Sequence, residues 1–157
     1  MSVPADHAAR AVALQDFLLE RIPPARALGV RVARYDGDTL ALAAPLAANV
    51  NDKGCAFGGS LTSLLTLAGW GLIELALQAR GFDCDVFVQD SEVRYLAPVW
   101  SDFEAVAALA EGESWDAFFA ALAERGKART RAACTVPGDG GAPAATLLAR
   151  FVAKRRG

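Results

Sequence analysis

The amino-acid sequence predicts an α+β fold in which an antiparallel sheet wraps around one long central helix. Residues 60–79 have helical spacing, are apolar on nearly every side and are followed by Gly81, as is typical of a buried helix that ends at a glycine. The rest of the chain supplies strands on both sides of this helix. A sheet packed around the central helix satisfies that order of elements.

The other predicted elements follow from apolar patterns and the residues that interrupt them. Residues 12–22 have apolar side chains at helical spacing and stop at Pro23-Pro24. The segment Asp36-Gly37-Asp38 lies between two apolar runs and indicates a hairpin. Residues 114–124 form a short helix with Ser114 as its N-cap. Strands are predicted at residues 28–35, 39–44, 85–99, 103–110, 127–136 and 145–153.

Length and composition favour one domain over residues 1–157. The 157 residues are 54% hydrophobic and 22% charged, which is typical of a compact globular domain. The net charge of −2 gives no general attraction to nucleic acid. The apolar run 61–77 is nearly long enough to cross a membrane, but it contains two threonines, a serine and Glu74. We therefore interpret it as a buried core helix and expect no membrane partner.

Cysteine and histidine usage narrows the location and the chemistry. The three cysteines are Cys55, Cys84 and Cys134; they are widely spaced and contain no CxxC pattern, which favours free thiols in a reducing compartment. The first 20 residues contain no signal-like apolar run, so we expect a cytoplasmic protein. The one histidine, His7, leaves no basis for a histidine-ligated metal site or a Ser-His-Asp triad. We expect no metal.

Two segments resemble a known family. They are NVNDKGCAFGGSLTSLLTLAGW, residues 49–70, and VFVQDSEVRYLAPVWSDFEA, residues 86–105. Together they resemble the thioesterase domain at the C-terminus of YiiD-type acetyltransferases, a family that also occurs as stand-alone proteins. The resemblance covers about residues 12–153. It implies a hot-dog fold and hydrolysis of an acyl thioester of CoA or acyl-carrier protein, with no cofactor other than the CoA of the substrate.

The start of the central helix, Phe57-Gly58-Gly59-Ser60, is the first candidate for substrate binding. Glycine lets a ligand approach the backbone closely, and the first N–H groups of a helix have no partner within the helix. These groups can stabilise the oxyanion that forms when a thioester carbonyl is attacked. In the alternative interpretation, the glycines only form a tight turn and Ser60 caps the helix.

The catalytic base is less clear from the sequence. Hot-dog hydrolases usually have a histidine before the glycine pair or a carboxylate about two turns into the helix, but this chain has Phe57 and Thr66 at those positions. Glu74 lies about two turns further along, too far to reach the helix start. The remaining nearby acid is Asp52, which can act as general base on water or attack the carbonyl directly.

Polar neighbours of Asp52 complete the loop candidates. Asn49 or Asn51 can position the water or the carbonyl, although Asn-Asp-Lys-Gly is also an ordinary turn sequence. Cys55 near the helix start is a weaker candidate for a nucleophile, because no histidine is available to activate it.

The strand after the helix carries competing candidates. Strict alternation places Phe87, Gln89, Ser91, Val93 and Tyr95 on one face and Val86, Val88, Asp90, Glu92 and Arg94 on the other. Either Gln89 with Ser91, or Asp90, then faces the substrate. Asp90 is otherwise half of a salt bridge with an arginine.

Three hypotheses for function remain. The first is an acyl-CoA or acyl-carrier-protein thioesterase; the second is a non-catalytic hot-dog module that binds an acyl thioester; the third is a structural partner of an acetyltransferase. In hot-dog dimers, the strand at residues 85–96 pairs with its copy in the second subunit. We therefore expect a homodimer, or a homotetramer built from two such dimers.

Overall fold

A computed structural model describes residues 4–157 of the chain. The elements, in chain order, are α1 (Pro4–Arg21), α2 (Pro23–Leu28), β1 (Arg31–Tyr35), β2 (Leu40–Ala44), α3 (Gly58–Ala79), β3 (Cys84–Tyr95), β4 (Phe103–Leu109), α4 (Trp115–Arg125), β5 (Lys127–Pro137) and β6 (Pro143–Arg155). The six strands form one sheet in the order β1-β2-β4-β5-β6-β3, and every pair of neighbours is antiparallel.

Helix α3 lies across one face of this sheet and contacts strands β2 to β6. Eleven of its residues are buried, including Leu64, Leu65 and Leu72. The helix is long and apolar enough to cross a membrane by length and composition, but 56% of its most apolar window is buried inside the fold. Its composition is therefore that of a core helix. The fold is the hot-dog arrangement that the two motif segments imply, and this prediction is confirmed.

Small residues let α3 approach the sheet closely. A Cβ atom at Gly69 would lie 2.9 Å from the ring of Phe151, which is fully buried at the centre of β6. A Cβ atom at Gly71 would lie 2.8 Å from a methyl group of Leu40 in β2. Because real Cβ contacts are longer than this, the two glycines set the spacing between helix and sheet.

The N-terminal region differs from the prediction. Helix α1 begins at Pro4 rather than residue 12, and residues 1–3 lie outside the described part of the chain. Pro23-Pro24 ends the first predicted helix but also starts α2, because proline fits the first turn of a helix. Helix α2 was not predicted. Gly29 ends it with φ +71°, so β1 begins at Arg31 rather than residue 28.

A β-bulge at Gln89 overturns the predicted faces of β3. Val88 pairs with Phe151 and Asp90 pairs with Arg150, so Gln89 has no partner on β6. One extra residue reverses the side on which every later side chain of the strand lies. The predicted alternation therefore holds up to Val88, but the residues from Asp90 to Tyr95 lie on the opposite faces from those that a continuous alternation gives them.

The pairing with β6 identifies the new faces. Five residues of β3 lie opposite buried residues of β6. The pairs are Val86 with Ala153, Val88 with Phe151, Ser91 with Ala149, Val93 with Leu147 and Tyr95 with Ala145. Because directly paired residues share a face of the sheet, this set faces α3. Gln89 accepts a hydrogen bond from Arg129 Nε at 3.0 Å, and Asp90 pairs with Arg150 at 3.5 Å. Both side chains lie on the outer face.

Candidate functional site

The loop between β2 and α3 brings the chain to the helix start in a fixed position. Val50 and Ala56 form an isolated antiparallel bridge, and the N–H of Ala56 donates to the carbonyl of Val99 at 2.8 Å. The N–H of Phe57 donates to the carbonyl of Asn49 at 2.7 Å. Backbone hydrogen bonds on both sides therefore fix where α3 begins.

The first turn of α3 leaves two N–H groups free. Phe57 is the N-cap residue, and its carbonyl accepts the N–H groups of Ser60 and Leu61 at 3.0 and 3.1 Å. Among residues 4–157, no acceptor takes the N–H of Gly58 or Gly59. Ser60 lies inside the first turn, so its predicted capping role is wrong. The N–H groups of the two glycines are unpaired donors, to which a carbonyl oxygen can form hydrogen bonds.

Asn49 is a buried anchor beside this turn. Its side chain is 4% exposed, and Nδ2 donates to the carbonyls of Leu28 and Pro45 at 2.9 and 2.8 Å. Within the described part of the chain, its Oδ1 accepts no hydrogen bond. Asn49 therefore ties the loop to the end of α2 and keeps one acceptor available.

A depression of about 350 Å³ lies where α2 meets the start of α3. It brings together four of the predicted substrate-binding or catalytic residues: Asn49, Phe57, Gly59 and Ser60. The Phe57 ring is 56% exposed and lies over Gly59, where an added Cβ would overlap it. The depression therefore combines an acceptor, a hydroxyl and a backbone donor under an exposed aromatic ring.

The other two catalytic candidates lie at the exposed end of the loop. Asn51 Oδ1 accepts from the N–H groups of Lys53 and Cys55 at 2.8 and 3.2 Å, so this side chain shapes the turn. The Asp52 side chain is 80% exposed and pairs with Lys53 Nζ at 3.0 Å. Neither side chain lines the depression.

A second candidate surface, called the groove below, lies where one side of α3 meets the inner face of β3: Thr62 and Thr66 are half-buried there, and Ser91 and Tyr95 are exposed. Gly58, Thr62, Thr66 and Trp70 follow each other at four-residue spacing on one side of the helix. The ring of Tyr95 lies beside Gly58 at one end of the groove, and Trp70 Nε1 donates to the carbonyl of Val86 at 3.1 Å at the other end. Thr66 Oγ1 donates to the carbonyl of Thr62 at 2.8 Å.

The predicted site residues on β3 therefore separate. Ser91 faces the groove, whereas Gln89 and Asp90 face away from it. Tyr95 and Thr62, whose hydroxyl groups are hydrogen bonded to each other, were not predicted as site residues. The sequence signal for Tyr95 is its place in the second segment that carries the family resemblance, residues 86–105.

Glu74 lies near the far end of α3. It follows Gly58 by 16 residues, about 24 Å along a helix. It lines a cavity of about 700 Å³ together with Arg10, Phe17, Trp70 and other residues. Burial raises the pKa of the Glu74 carboxyl above its usual value. Over residues 4–157, no group of three or more His, Cys, Asp or Glu side chains could hold a metal ion.

Comparison with known proteins relates this geometry to a family. The family described as "Putative thioesterase (yiiD_Cterm)" matches residues 11–155. That range contains both groove and depression.

Solved structures give the same fold. A protein of unknown function from Chlorobaculum tepidum TLS is 28% identical, with a TM-score of 0.90 over 96% of this chain and 97% of that one. A putative thioesterase from Shewanella oneidensis is 26% identical, with a TM-score of 0.83 over 94% and 99%. A probable thioesterase from Pseudomonas aeruginosa is 23% identical, with a TM-score of 0.77 over 99% of each chain, and supports the fold alone.

Proposed function

Because the chain belongs to the family described as "Putative thioesterase (yiiD_Cterm)", we propose that it hydrolyses the thioester of an acyl-CoA or acyl-carrier protein. The observation that carries this proposal is the pair of free amides at Gly58 and Gly59, next to the depression that contains Asn49. Donors fixed in this way stabilise negative charge on a carbonyl oxygen without reorganising.

The proposed reaction follows from these groups. The thioester carbonyl oxygen accepts from the amides at the start of α3, and Asn49 Oδ1 accepts a hydrogen bond from the attacking water. Asp52 lies in the same loop but outside the depression, so it takes the proton through an intervening water as the oxygen of the attacking water bonds to the carbonyl carbon. The C–S bond then breaks, the thiolate leaving group takes the proton from Asp52, which regenerates the base, and the products are a carboxylic acid and a free thiol. The other candidate acid, Asp90, points away from the depression because it lies on the outer face of β3.

Free-thiol release tests the proposal. The full-length protein is incubated with acyl-CoAs of different chain length and with acyl-carrier protein, and thiol formation is followed over time. Hydrolysis of at least one substrate supports the thioesterase. Binding of acyl-CoA in calorimetry without any thiol release would favour the non-catalytic module, a possibility raised by Thr66 at the position where the family resemblance leads us to expect a carboxylate.

A second copy of the chain is the proposed partner. Strand β3 is an edge of the sheet, and Phe87, Val88 and Leu96 at this edge are each about half exposed. A long unpaired edge with apolar side chains favours pairing with an identical edge. The three buried free thiols fit a reducing compartment, and we propose the cytoplasm.

We expect static light scattering at micromolar concentration to give at least twice the mass of one chain. Pairing of two β3 edges would bury the exposed apolar side chains, and the unpaired backbone groups of the two strands would form hydrogen bonds with each other. Changing Phe87 to lysine should shift the mass towards that of one chain. A monomer for the unchanged protein would contradict the proposed partner.

Gly59→Val should lower turnover by more than it lowers stability. The branched side chain would occupy the space in which the thioester carbonyl meets the start of α3, and it would also displace the Phe57 ring. The same change in a Phe57→Ala background separates the two effects, because no ring remains to be displaced. Full kcat in either Gly59→Val protein, with the melting temperature measured in parallel, would rule out the oxyanion role of this turn.

A further inference from the structure

A pair of hydroxyl groups joins the helix to the edge strand at one end of the groove. Tyr95 OH and Thr62 Oγ1 are hydrogen bonded to each other, and the ring of Tyr95 lies against Gly58, where an added Cβ would be 3.4 Å from ring carbon Cε1. The bulge at Gln89 is what turns Tyr95 towards α3. The hydroxyl pair therefore depends on the register of the strand.

Counting hydrogens shows that the pair keeps one donor free. Each hydroxyl has one O–H, and the single hydrogen bond between the two oxygens uses only one of them. In residues 4–157, neither hydroxyl has another partner. Whichever of the two donates to the other, the O–H of the accepting oxygen remains without an acceptor, and the hydrogen bond that this oxygen accepts polarises it.

The free donor is open to a ligand. Tyr95 is 57% exposed although it lies on the inner face of the sheet, opposite the buried Ala145. Thr62 is half-buried and lies one helical turn after Gly58, on the same side of α3. The uncommitted O–H therefore lies on the groove side of the helix start, in the turn that begins at Gly58.

We propose that the Tyr95–Thr62 pair donates its free O–H to the thioester carbonyl oxygen and that Tyr95 is a further catalytic residue. This inference rests on the proposed hydrolase function. The hydroxyl adds a side-chain donor to the two backbone donors of the helix start, and its share of the stabilisation grows as the carbonyl oxygen becomes negatively charged. Its loss should therefore act on kcat more than on KM.

The Tyr95→Phe enzyme tests this role, because phenylalanine keeps the ring against Gly58 and removes only the hydroxyl. We expect kcat for the preferred acyl-CoA to fall by about 10²-fold, as for loss of one oxyanion donor, with KM changed by less than about threefold. Thr62→Val should also lower kcat, because the remaining hydroxyl is no longer held and polarised by its partner, whereas Thr62→Ser should keep activity. The double variant removes the last O–H and should be at least as impaired as the stronger single variant. Tyr35→Phe is the matched control, since Tyr35 is the only other tyrosine and lies in β1.

A purely structural link between α3 and β3 gives a different result. The Tyr95→Phe protein would then have a lower melting temperature but the kcat of the unchanged enzyme at a temperature where both are folded. That result would overturn the inference and leave the hydrolase function intact. If the unchanged protein releases no thiol from any acyl-CoA or acyl-carrier protein, the proposed function fails, and the inference fails with it.

Discussion

Asp52→Asn should lower kcat for hydrolysis of the preferred acyl-CoA by about 10²–10⁴-fold, the usual contribution of a general base. The amide keeps the shape of the side chain but cannot take a proton from water. Asp52 lies in the loop that leads directly into Gly58, and its exposed carboxylate is accessible to water. Because the exposed Asp52 side chain does not line the depression, we expect KM to change little. Steady-state thiol release measures both constants.

Asp90→Asn is the control for this experiment. Asp90 lies on the outer face of β3, paired with Arg150 at 3.5 Å, so its loss should change kcat by less than about threefold. Lys53→Gln is a second control, because it removes the ion-pair partner of Asp52 and leaves the carboxylate in place. Loss of turnover in Asp90→Asn, together with normal turnover in Asp52→Asn, would place the base on the strand and refute our assignment.

Phe151→Ala should lower the free energy of unfolding by about 3–5 kcal/mol, the usual cost of emptying a buried aromatic site. Phe151 is fully buried in β6, between β5 and the edge strand β3, and contacts α3 at Gly69. Because a domain of this size has about 5–15 kcal/mol of stability in total, the variant should unfold at a much lower urea concentration. Equilibrium urea unfolding followed by circular dichroism measures the change.

The neighbouring glycine gives a matched test of this packing. Gly69→Ala gains about 1 kcal/mol of helix propensity, but its Cβ would lie 2.9 Å from the Phe151 ring, an overlap that costs about 1–3 kcal/mol. In the Phe151→Ala background, that overlap is gone, so the same change should cost less or become stabilising. The contact with Cys134 Sγ, at 3.2 Å, remains in both backgrounds. Additive free energies would show that Gly69 and Phe151 do not set the spacing.

Most of the fold could be predicted because its signals are local. The apolar surface of α3 demands burial on nearly all sides, the Asp36-Gly37-Asp38 hairpin has its turn residues in sequence, and Ser114 caps α4 by accepting from the N–H of Ala117 at 3.2 Å. Helix α2 was missed because Pro23-Pro24 has two meanings, the end of one helix and the first turn of the next. Gly29 supplied the missing signal, since a glycine after a short apolar segment is typical of a helix end.

The candidate site was harder to predict because it depends on pairing between distant segments. The sequence from Val86 to Tyr95 fits strict alternation, and only the partner residues on β6 reveal that Gln89 is extra. The same bulge moves Gln89 and Asp90 away from the groove and brings Tyr95 to Thr62. By contrast, the Gly58-Gly59 turn could be found from sequence, because a glycine pair before an apolar helix is a local pattern.

The bulge also determines how this strand can be exchanged with those of other proteins. The side chains of β3 that face α3 have even residue numbers before Gln89 and odd residue numbers after it. A chimera that replaces part of β3 by a strand from another protein must therefore be aligned separately before and after Gln89. A single alignment counted from the start of the strand would place one of the two parts on the wrong face. A graft that kept Gln89 but paired it with β6 in regular register, without the bulge, would carry Asp90, Glu92 and Arg94 to the side of α3, where three charged groups would replace Ser91, Val93 and Tyr95.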